Sequence, residues 1–415
     1  MSNDNKKIFD VIIWGATGFT GKLVAQYYAN TYGCDGESLK WAMAGRSLEK
    51  LKEVQNWIAP TSPEINKIPI LTANIDDLDT LKSITSKTKV LCTTVGPYNL
   101  YGKTILQACL DTETNYCDLT GEPNFIRYSI DNFHQKVLSK KLHFIHSCGF
   151  DSIPSDMGTL FLQTQSMEKL GAYCKEVLFI AGDSKGSFSG GTIASLLGVV
   201  EEAVSNEDTR RFLSDPYSLN PEGFRGPDEP DPVSIEFIPA LNTWTAPFVM
   251  GPVNTRVVRR TNALLNNKYS PDFRYQERMG FGNGIGGWFL AQSVRATIGS
   301  ILGLGAIPFT RDILKKYVLP AAGEGPSEED RENGYFNISI LGFKDKISDN
   351  ASIQVDVYGK RDPGYGATCR MIGESAVSIA KGEVSQLYGV VTPASALGLG
   401  FKSRLEKVGI TFTVK

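Results

Sequence analysis

The sequence has few histidines and no paired cysteine motif. Three histidines occur, His134, His143 and His146, and seven cysteines are spread between Cys34 and Cys369 without a Cys-x-x-Cys spacing. His143 and His146 lie in one predicted strand at an odd spacing, which turns them to opposite faces of a sheet. This distribution argues against a metal site and a disulfide framework, and it favours reduced thiols. We therefore predict packing and surface roles for the histidines.

The chain also has little net charge and no apolar leader. Its formal net charge is −2 and charged residues make up 21% of 415 positions, so charge provides no argument for nucleic-acid binding. The first residues, Met-Ser-Asn-Asp-Asn-Lys-Lys, lack the apolar run that directs secretion. These absences predict a protein that acts on the cytoplasmic side of membranes, soluble or peripherally attached, and is not secreted.

A glycine-rich turn directly follows a short apolar run. Residues 11–14, Val-Ile-Ile-Trp, have the character of a buried strand, and Gly15-Ala-Thr-Gly18-Phe-Thr-Gly21 comes next. A helix is predicted after it, ending near Gly33. In this arrangement a dinucleotide pyrophosphate binds at the helix N-terminus, where free backbone N–H groups and the helix dipole favour an anion. Glycine suits the turn because a Cβ would block the approach of the phosphates.

The end of the second predicted strand favours NADP over NAD. Residues 40–44 lead into Gly45-Arg46-Ser47, where an NAD site usually has an acidic residue for the ribose hydroxyl. Arginine suits a 2′-phosphate, although Arg46 as an ordinary solvated charge is the alternative. We predict NADP(H) as the cofactor. The predicted binding residues lie in the glycine turn and at the ends of the second and fourth predicted strands: Gly15, Thr17, Gly18, Phe19, Thr20, Gly21, Arg46, Ser47, Val95, Gly96, Pro97 and Tyr98.

Predicted strands and helices alternate through the first part of the chain. This alternation is typical of an α/β fold with a doubly wound parallel sheet, a Rossmann domain over residues 1–150. Beyond it, residues 337–343 and 353–358 alternate apolar and polar, which predicts an antiparallel pair in a second α+β domain over residues 151–389. We expect residues 215–232, rich in Pro, Gly and acidic residues, to form an exposed excursion.

Residues 279–310 form a long, glycine-rich segment in which Arg295 is the only charge. Leu290, Val294, Ile298 and Ile301 form one stripe of a predicted helix, with Gln292 and Arg295 on the far side. A membrane span needs about 20 consecutive apolar residues, and Arg295 interrupts this one. The alternatives are a buried dimer or substrate-tunnel helix and a segment that lies on a lipid surface.

Several motifs together resemble the saccharopine dehydrogenase-like oxidoreductases, and the trans-acting enoyl reductase group in particular. They include the glycine turn, Val95-Gly-Pro-Tyr98, Tyr116-Cys-Asp-Leu-Thr-Gly-Glu122, Ser189-Gly-Gly-Thr192 and, most specifically, Cys148-Gly-Phe-Asp-Ser-Ile-Pro-Ser-Asp156. The resemblance spans nearly the whole chain. It implies a Rossmann domain, a second α+β domain, and a C-terminal segment, residues 390–415, that returns to the first domain. It also implies reduction of a C=C or C=O bond in a lipid-type acyl substrate. Association of the family's animal members with lipid droplets and membranes favours lipid contact for residues 279–310.

Hydride transfer requires a proton source beside the nicotinamide. Four side chains near predicted strand ends are candidate catalytic residues: Tyr98, Asp118, Asp151 and Ser152. Asp118 and Asp151 can act as an acid and a base across a cleft, or cap loops by accepting backbone N–H bonds. A thiol nucleophile at Cys148 is disfavoured because no histidine is placed beside it. The alternative function is a non-catalytic NADP-binding scaffold or sensor at a lipid surface.

Overall fold

A computed structural model describes residues 7–150, 152–186, 198, 201–307, 309–310, 325–348 and 350–415. The first part of the chain alternates strands and helices, as predicted. In chain order its elements are β1 (Phe9–Trp14), α1 (Phe19–Tyr32), β2 (Trp41–Gly45), α2 (Leu48–Ile58), β3 (Ile70–Thr72), α3 (Leu78–Thr85), β4 (Thr88–Thr93), α4 (Tyr98–Asp111), β5 (Asn115–Cys117), α5 (Pro123–Ser139) and β6 (His143–Ile145).

The remaining chain contributes both strands and helices. These are α6 (Ile153–Leu170), β7 (Glu176–Lys185), α7 (Glu207–Ser214), β8 (Glu236–Ile238), β9 (Thr243–Pro247), α8 (Gly251–Leu264), β10 (Arg274–Gly280), α9 (Gly284–Ala306), α10 (Glu328–Glu332), β11 (Tyr335–Phe343), β12 (Ile353–Lys360), α11 (Thr368–Ala380), β13 (Gly389–Val391), α12 (Pro393–Leu397), α13 (Gly400–Lys407) and β14 (Ile410–Val414).

The first sheet is parallel throughout and has the order β13-β6-β5-β4-β1-β2-β3. Its strands are buried on both faces, which is why residues 11–14 are continuously apolar. The order reverses at β1, so a crevice opens beyond the carboxyl ends of β1 and β4. This is the predicted Rossmann arrangement.

The second sheet is mixed, with the order β14-β12-β11-β7-β10-β9-β8. The antiparallel pair predicted from residues 337–343 and 353–358 is confirmed as β11 and β12. Among the described strands of this sheet, β7 and β10 alone pair in parallel. Helices α6 and α8 pack on one face of this sheet, and their length was not anticipated from the sequence.

The C-terminal part connects both sheets. Helix α11, which lies within the predicted second domain, packs on the first sheet beside α1, where Tyr28 Oη donates to the carbonyl of Gly373 at 2.8 Å. Strand β13 pairs with β6, whereas β14 pairs with β12 of the second sheet. Residues 390–415 are therefore shared between the two sheets and do not return to the first sheet alone.

The segment 215–232 is held against the protein, contrary to the expected exposed excursion. Buried arginines of α8 bind it: Arg259 pairs with Asp228, and Arg256 pairs with Asp231 at 3.1 Å. Arg260 donates to backbone carbonyls of Leu219 and of β13. Burial lowers the pKa of Arg260 to about 9, because this guanidinium is taken out of water. Backbone carbonyls and acidic side chains thus replace water for these cations.

Helix α9 carries most of the predicted segment 279–310 and exposes much of its apolar surface. Gly287, Ala291 and Gly305 are its buried residues. Ile285 is 78% exposed, Phe289 59% and the following Phe309 75%. Val294, Ile298 and Ile301 of the predicted stripe are half-buried and turn toward the protein, so the stripe is largely a packing face. Among the described helices, none is long and apolar enough to cross a membrane.

Candidate functional site

The glycine turn connects β1 to α1 in a tightly packed form. Gly15 has φ +87°, a backbone conformation that favours glycine, and a Cβ on it would lie 2.3 Å from Val95 Cγ2. A Cβ on Gly21 would lie 2.1 Å from the carbonyl oxygen of Gly15. Gly15 and Gly21 thus allow the turn to close on itself, and neither position has room for a side chain.

Gly18 plays a different part in the same turn. It is exposed and is the N-cap of α1, and no side chain caps the helix there. A Cβ at this position would meet only the Gly15 carbonyl oxygen, at 3.3 Å, and would otherwise project into the crevice. The space that this Cβ would fill is the space that a phosphate needs beside the amides of Phe19, Thr20 and Gly21. The turn therefore fits a dinucleotide pyrophosphate.

A second recess lies at the end of β2. A cavity of about 320 Å³ is lined by Arg46, Thr72, Ala73 and Asn74. Arg46 is exposed at its rim, free to meet a 2′-phosphate, whereas Ser47 Oγ accepts from the amide of Lys50 and caps α2. Arg46 and Asn74 supply donors of the kind that bind a phosphate.

The end of β4 faces the same crevice, but the side chain of Tyr98 does not. Val95 and Pro97 are half-buried and Gly96 is exposed. Because α4 begins at Tyr98, this ring turns inward, where its hydroxyl donates to Thr93 O at 3.3 Å and accepts from Leu119 N at 3.2 Å. Burial, with the Asp118 carboxylate second, raises the pKa of Tyr98. The Tyr98 hydroxyl is therefore occupied inside the protein, which argues against its predicted catalytic role.

Asp118 is fully buried after β5 and organises two loops. Its Oδ1 accepts from the amides of Thr120 and Ser147, both at 3.0 Å. Its Oδ2 accepts from Tyr116 Oη at 2.8 Å and lies 2.7 Å from His146 Nδ1. These contacts are those of a loop-capping aspartate, the alternative role given above. Both carboxylate oxygens already have two partners each, so neither is free to exchange a proton with a substrate.

The same network continues to Ser129 on α5. Since a carboxylate only accepts, the proton of His146 lies on Nδ1, and Nε2 accepts from Ser129 Oγ at 2.9 Å. Hydrogen bonds thus link Ser129, His146 and Asp118 in the same order as the serine, histidine and aspartate of a serine hydrolase triad. Ser129, His146 and Asp118 are each at most 2% exposed, so no substrate reaches the hydroxyl. The network is a buried support for the strand ends.

The loop after β6 crosses from the first sheet to the second. Asp151 lies outside the described residues, as does the motif of residues 189–192. Ser152 is buried and its Oγ donates to Asn254 Oδ1 at 3.0 Å, which leaves no proton for a substrate. Cys148 is buried, and burial raises the pKa of its thiol, so it is a poor nucleophile.

The structure also reveals two buried carboxyl groups that are not among the predicted site residues, although Asp156 ends the motif that begins at Cys148. Glu277 on β10 and Asp156 on α6 are both surrounded by hydroxyl and amide groups, and burial raises the pKa of each to about 7. Glu277 lies in a strand with charged neighbours, and Asp156 lies in a helix. No local pattern separates such residues from solvated ones, so only packing reveals them.

The larger cavity of about 910 Å³ lies elsewhere, along the outer side of α1. Two of its charged groups pair with each other: Arg404 lies 2.7 Å from Glu374, and Tyr27 Oη donates to the same carboxylate at 2.6 Å. Because it does not lie at the carboxyl ends of the parallel strands, we place the cofactor in the crevice and not here.

Comparison with known proteins identifies an NADP-binding domain in the first part of the chain. Residues 11–141 match the family model described as the saccharopine dehydrogenase NADP binding domain. A Mycobacterium tuberculosis protein provisionally named as a trans-acting enoyl reductase is 37% identical over 420 residues, 97% of this chain and 96% of the relative. A Mycobacterium bovis protein named trans-acting enoyl reductase is 33% identical over 414 residues, with the same coverage of 97% and 96%.

Among solved structures, the apo saccharopine dehydrogenase (L-Glu forming) of Saccharomyces cerevisiae has a similar fold. Its TM-score is 0.53 over 98% of this chain and 99% of that chain, at 11% identity. At this identity the likeness shows the fold alone. The glycine turn and the family model agree on NADP(H) as the cofactor. Identity above 30% along nearly all of both chains decides the assignment, and this chain is an NADP-dependent oxidoreductase of the trans-acting enoyl reductase family.

Proposed function

We propose that the protein reduces the C=C bond of an α,β-unsaturated acyl substrate with NADPH. The observation that carries this proposal is the near full-length identity to relatives named trans-acting enoyl reductase. The crevice supports it, because its amides suit a pyrophosphate and its rim carries Arg46. A lipid-type substrate follows from the acyl group that such an enzyme reduces.

The reaction requires one hydride and one proton. When bound, NADPH supplies the hydride; the acyl β-carbon accepts it, the double-bond electrons move toward the carbonyl oxygen, and the α-carbon then takes a proton. The protein binds the pyrophosphate at the start of α1, and the ends of β4, β5 and β6 orient the nicotinamide half. Of the predicted catalytic residues, Asp151 stays our candidate proton donor.

The decisive experiment follows the hydride. The purified protein is incubated with NADPH deuterated at the transferred position and with short- and long-chain 2-enoyl thioesters. We expect a saturated product with one deuterium on the β-carbon, formed as absorbance at 340 nm falls. Gly18→Val serves as the cofactor-free control. Saturated product without deuterium, or no product from any chain length, would overturn the proposal.

The same assay separates the alternatives. Reduction of 3-ketoacyl but not of 2-enoyl thioesters would make the protein a carbonyl reductase. Tight NADPH binding without oxidation of NADPH by either substrate class would favour the non-catalytic scaffold or sensor. Asp151→Asn tests the proton donor, and we expect it to lower kcat while leaving the NADPH dissociation constant unchanged.

We also propose that α9 contacts a lipid surface, on lipid droplets or membranes. Its outward face presents Ile285, Phe289 and Leu290 to solvent, and Arg295 is turned back to donate to Val233 O at 3.2 Å. A cluster of exposed aliphatic and aromatic side chains with no acidic residue suits the boundary between head groups and acyl chains. A homodimer through the same face is the alternative outcome.

A further inference from the structure

Glu277 is a carboxyl group deep in the core between the second sheet and helices α6 and α8. Its side chain is 3% exposed. In the part of the chain that the structure describes, no lysine, arginine or histidine lies within ion-pair distance of it, so hydrogen bonds alone stabilise its charge. Tyr275 Oη donates to Oε1 at 2.7 Å, and Asn254 Nδ2 donates to Oε2 at 2.9 Å.

These bonds determine which way the Asn254 amide points. An ionised carboxylate only accepts, so the NH₂ group of Asn254 must face Glu277 and its oxygen must face away. That oxygen, Oδ1, accepts the hydroxyl proton of Ser152 at 3.0 Å. All three side chains are buried, so water does not compete for these bonds. A continuous chain of hydrogen bonds therefore runs from β10 to Ser152.

Ser152 lies shortly after β6, at the carboxyl edge of the first sheet, and Gly149 and Phe150 are the described residues of the loop that precedes it. The amide of Ser152 donates to Gly149 O at 3.3 Å, and the amide of Phe150 donates to Thr368 Oγ1 at 3.0 Å. A Cβ on Gly149 would lie 2.8 Å from Leu119 Cδ2, so the loop packs directly on the end of β5. This edge is where the nicotinamide half of the cofactor is expected.

We propose that Glu277 is a positioning residue: acting through Asn254, it holds Ser152, and with it Gly149 and Phe150, in place against the nicotinamide end of the cofactor site. A kinetic test of this inference rests on the proposed function, because it needs the reduction of a 2-enoyl thioester. A structural test by hydrogen–deuterium exchange does not. Glu277 does not touch the reacting atoms. Its effect on reduction passes through the orientation of one amide and one hydroxyl.

Ionisation of Glu277 should change this chain of bonds. Tyr275 faces it from its own strand, Asn254 from α8 and Ser155 from α6, while Asp231 acts at longer range. Burial raises its pKa to about 7. A protonated Oε2 donates instead of accepting, so the Asn254 amide turns its oxygen to Glu277 and its NH₂ group to Ser152. Ser152 must then accept, so this hydrogen bond reverses its direction and the Ser152 hydroxyl proton must turn to another acceptor.

The test compares Glu277→Gln, Ser152→Ala and a control, Tyr275→Phe, which removes a bond to Glu277 but leaves the Asn254 link. Hydrogen–deuterium exchange of the peptide covering residues 147–153 is measured with NADPH present, at fixed pD. We expect at least about fivefold faster exchange in Glu277→Gln and in Ser152→Ala, and little change in Tyr275→Phe. NADPH affinity should stay within about twofold of wild type in all three.

Kinetics provide the second readout. With a 2-enoyl thioester, we expect the kcat of wild type to change with pH near neutrality. We expect Glu277→Gln to lower kcat about tenfold, to leave the KM for NADPH unchanged and to lack this pH dependence. Faster loop exchange without any enoyl reduction by wild type would support the positioning role and reject the proposed function. Wild-type exchange and an unchanged pH profile in a folded Glu277→Gln protein would overturn the positioning role.

Discussion

Asp118 Oδ2 lies 2.7 Å from His146 Nδ1, with both side chains buried beneath the edge of the first sheet. The pair joins β5 to β6, and the second carboxylate oxygen holds two backbone amides of the following loops. Its role is to fix the shape of the strand ends that face the crevice, and a first prediction follows from it.

Asp118→Asn should destabilise the protein, because an NH₂ group would face donors that now point at a carboxylate. We expect a loss of about 2–4 kcal/mol in the free energy of unfolding, measured by urea denaturation. Tyr116→Phe, which removes one neutral donor, is the matched control and should cost about 1 kcal/mol. If Asp118→Asn instead has wild-type stability and loses only kcat, Asp118 is a catalytic residue after all.

Gly18→Val should abolish NADPH binding in a folded protein. The backbone at Gly18 has φ −76°, which valine can adopt, and the new side chain would project into the phosphate space. Gly400→Val, at an exposed helix start with nothing within 4 Å, is the control. Fluorescence titration with NADPH and circular dichroism of both variants provide the measurement. Normal binding by Gly18→Val would place the phosphates elsewhere.

Arg46→Ala should weaken NADPH binding about tenfold and leave NADH binding nearly unchanged, because only the 2′-phosphate pairs with the guanidinium. Arg210→Ala, an exposed arginine on α7, controls for the loss of one surface charge. Isothermal titration with both cofactors reads out the preference. Equal losses for NADPH and NADH, or none, would mean that Arg46 is an ordinary solvated charge.

Asp156 should make stability depend on pH. Burial raises its pKa from an ordinary value of 3.8 to about 7, although Thr261 and the amide of Ala394 donate to it. The folded state therefore binds this proton more tightly than the unfolded state. The stabilisation is fully present below about pH 4 and is lost as the pH rises to about 7, a decrease of about 2–4 kcal/mol.

Asp156→Asn mimics the protonated form, since its oxygen can accept from Ala394 N while its NH₂ group donates to Thr261. We expect its stability relative to wild type to rise by this amount between about pH 4 and pH 7, the range between the pKa values of Asp156 in the unfolded and folded states. Urea denaturation at several pH values measures the difference. A constant difference across the range would show that Asp156 does not titrate there.

Phe289→Asp should release the protein from lipid without loss of NADPH binding, because Phe289 is 59% exposed on the outward face of α9. Flotation with liposomes or lipid droplets is the measurement. Ile298→Asp is the informative comparison, since Ile298 turns toward the protein and a charge there should lower stability. A change in sedimentation without a change in flotation would make the face a subunit interface.

Local patterns were enough for much of this protein. The Rossmann fold was predicted correctly, because its signals depend on near neighbours: the run Val-Ile-Ile-Trp, the glycine turn and the period of Leu48–Ile58. The β11–β12 pair was predicted for the same reason, because apolar and polar residues alternate along a strand that has one buried and one solvent-exposed face. The location of Arg46 at the carboxyl end of β2 was predicted from the end of that one strand alone.

Tertiary structure decided what the side chains at those positions do. Tyr98 and Asp118 follow strands as predicted, yet packing turns both into the interior, where hydrogen bonds occupy them. Ile298 belongs to an apolar stripe, but periodicity does not say which stripe of a helix faces the protein. Glu277 and Asn254 are 23 residues apart, and a hydrogen bond between them depends on how α8 lies on the second sheet. Because that placement depends on long-range packing, only the folded chain reveals it.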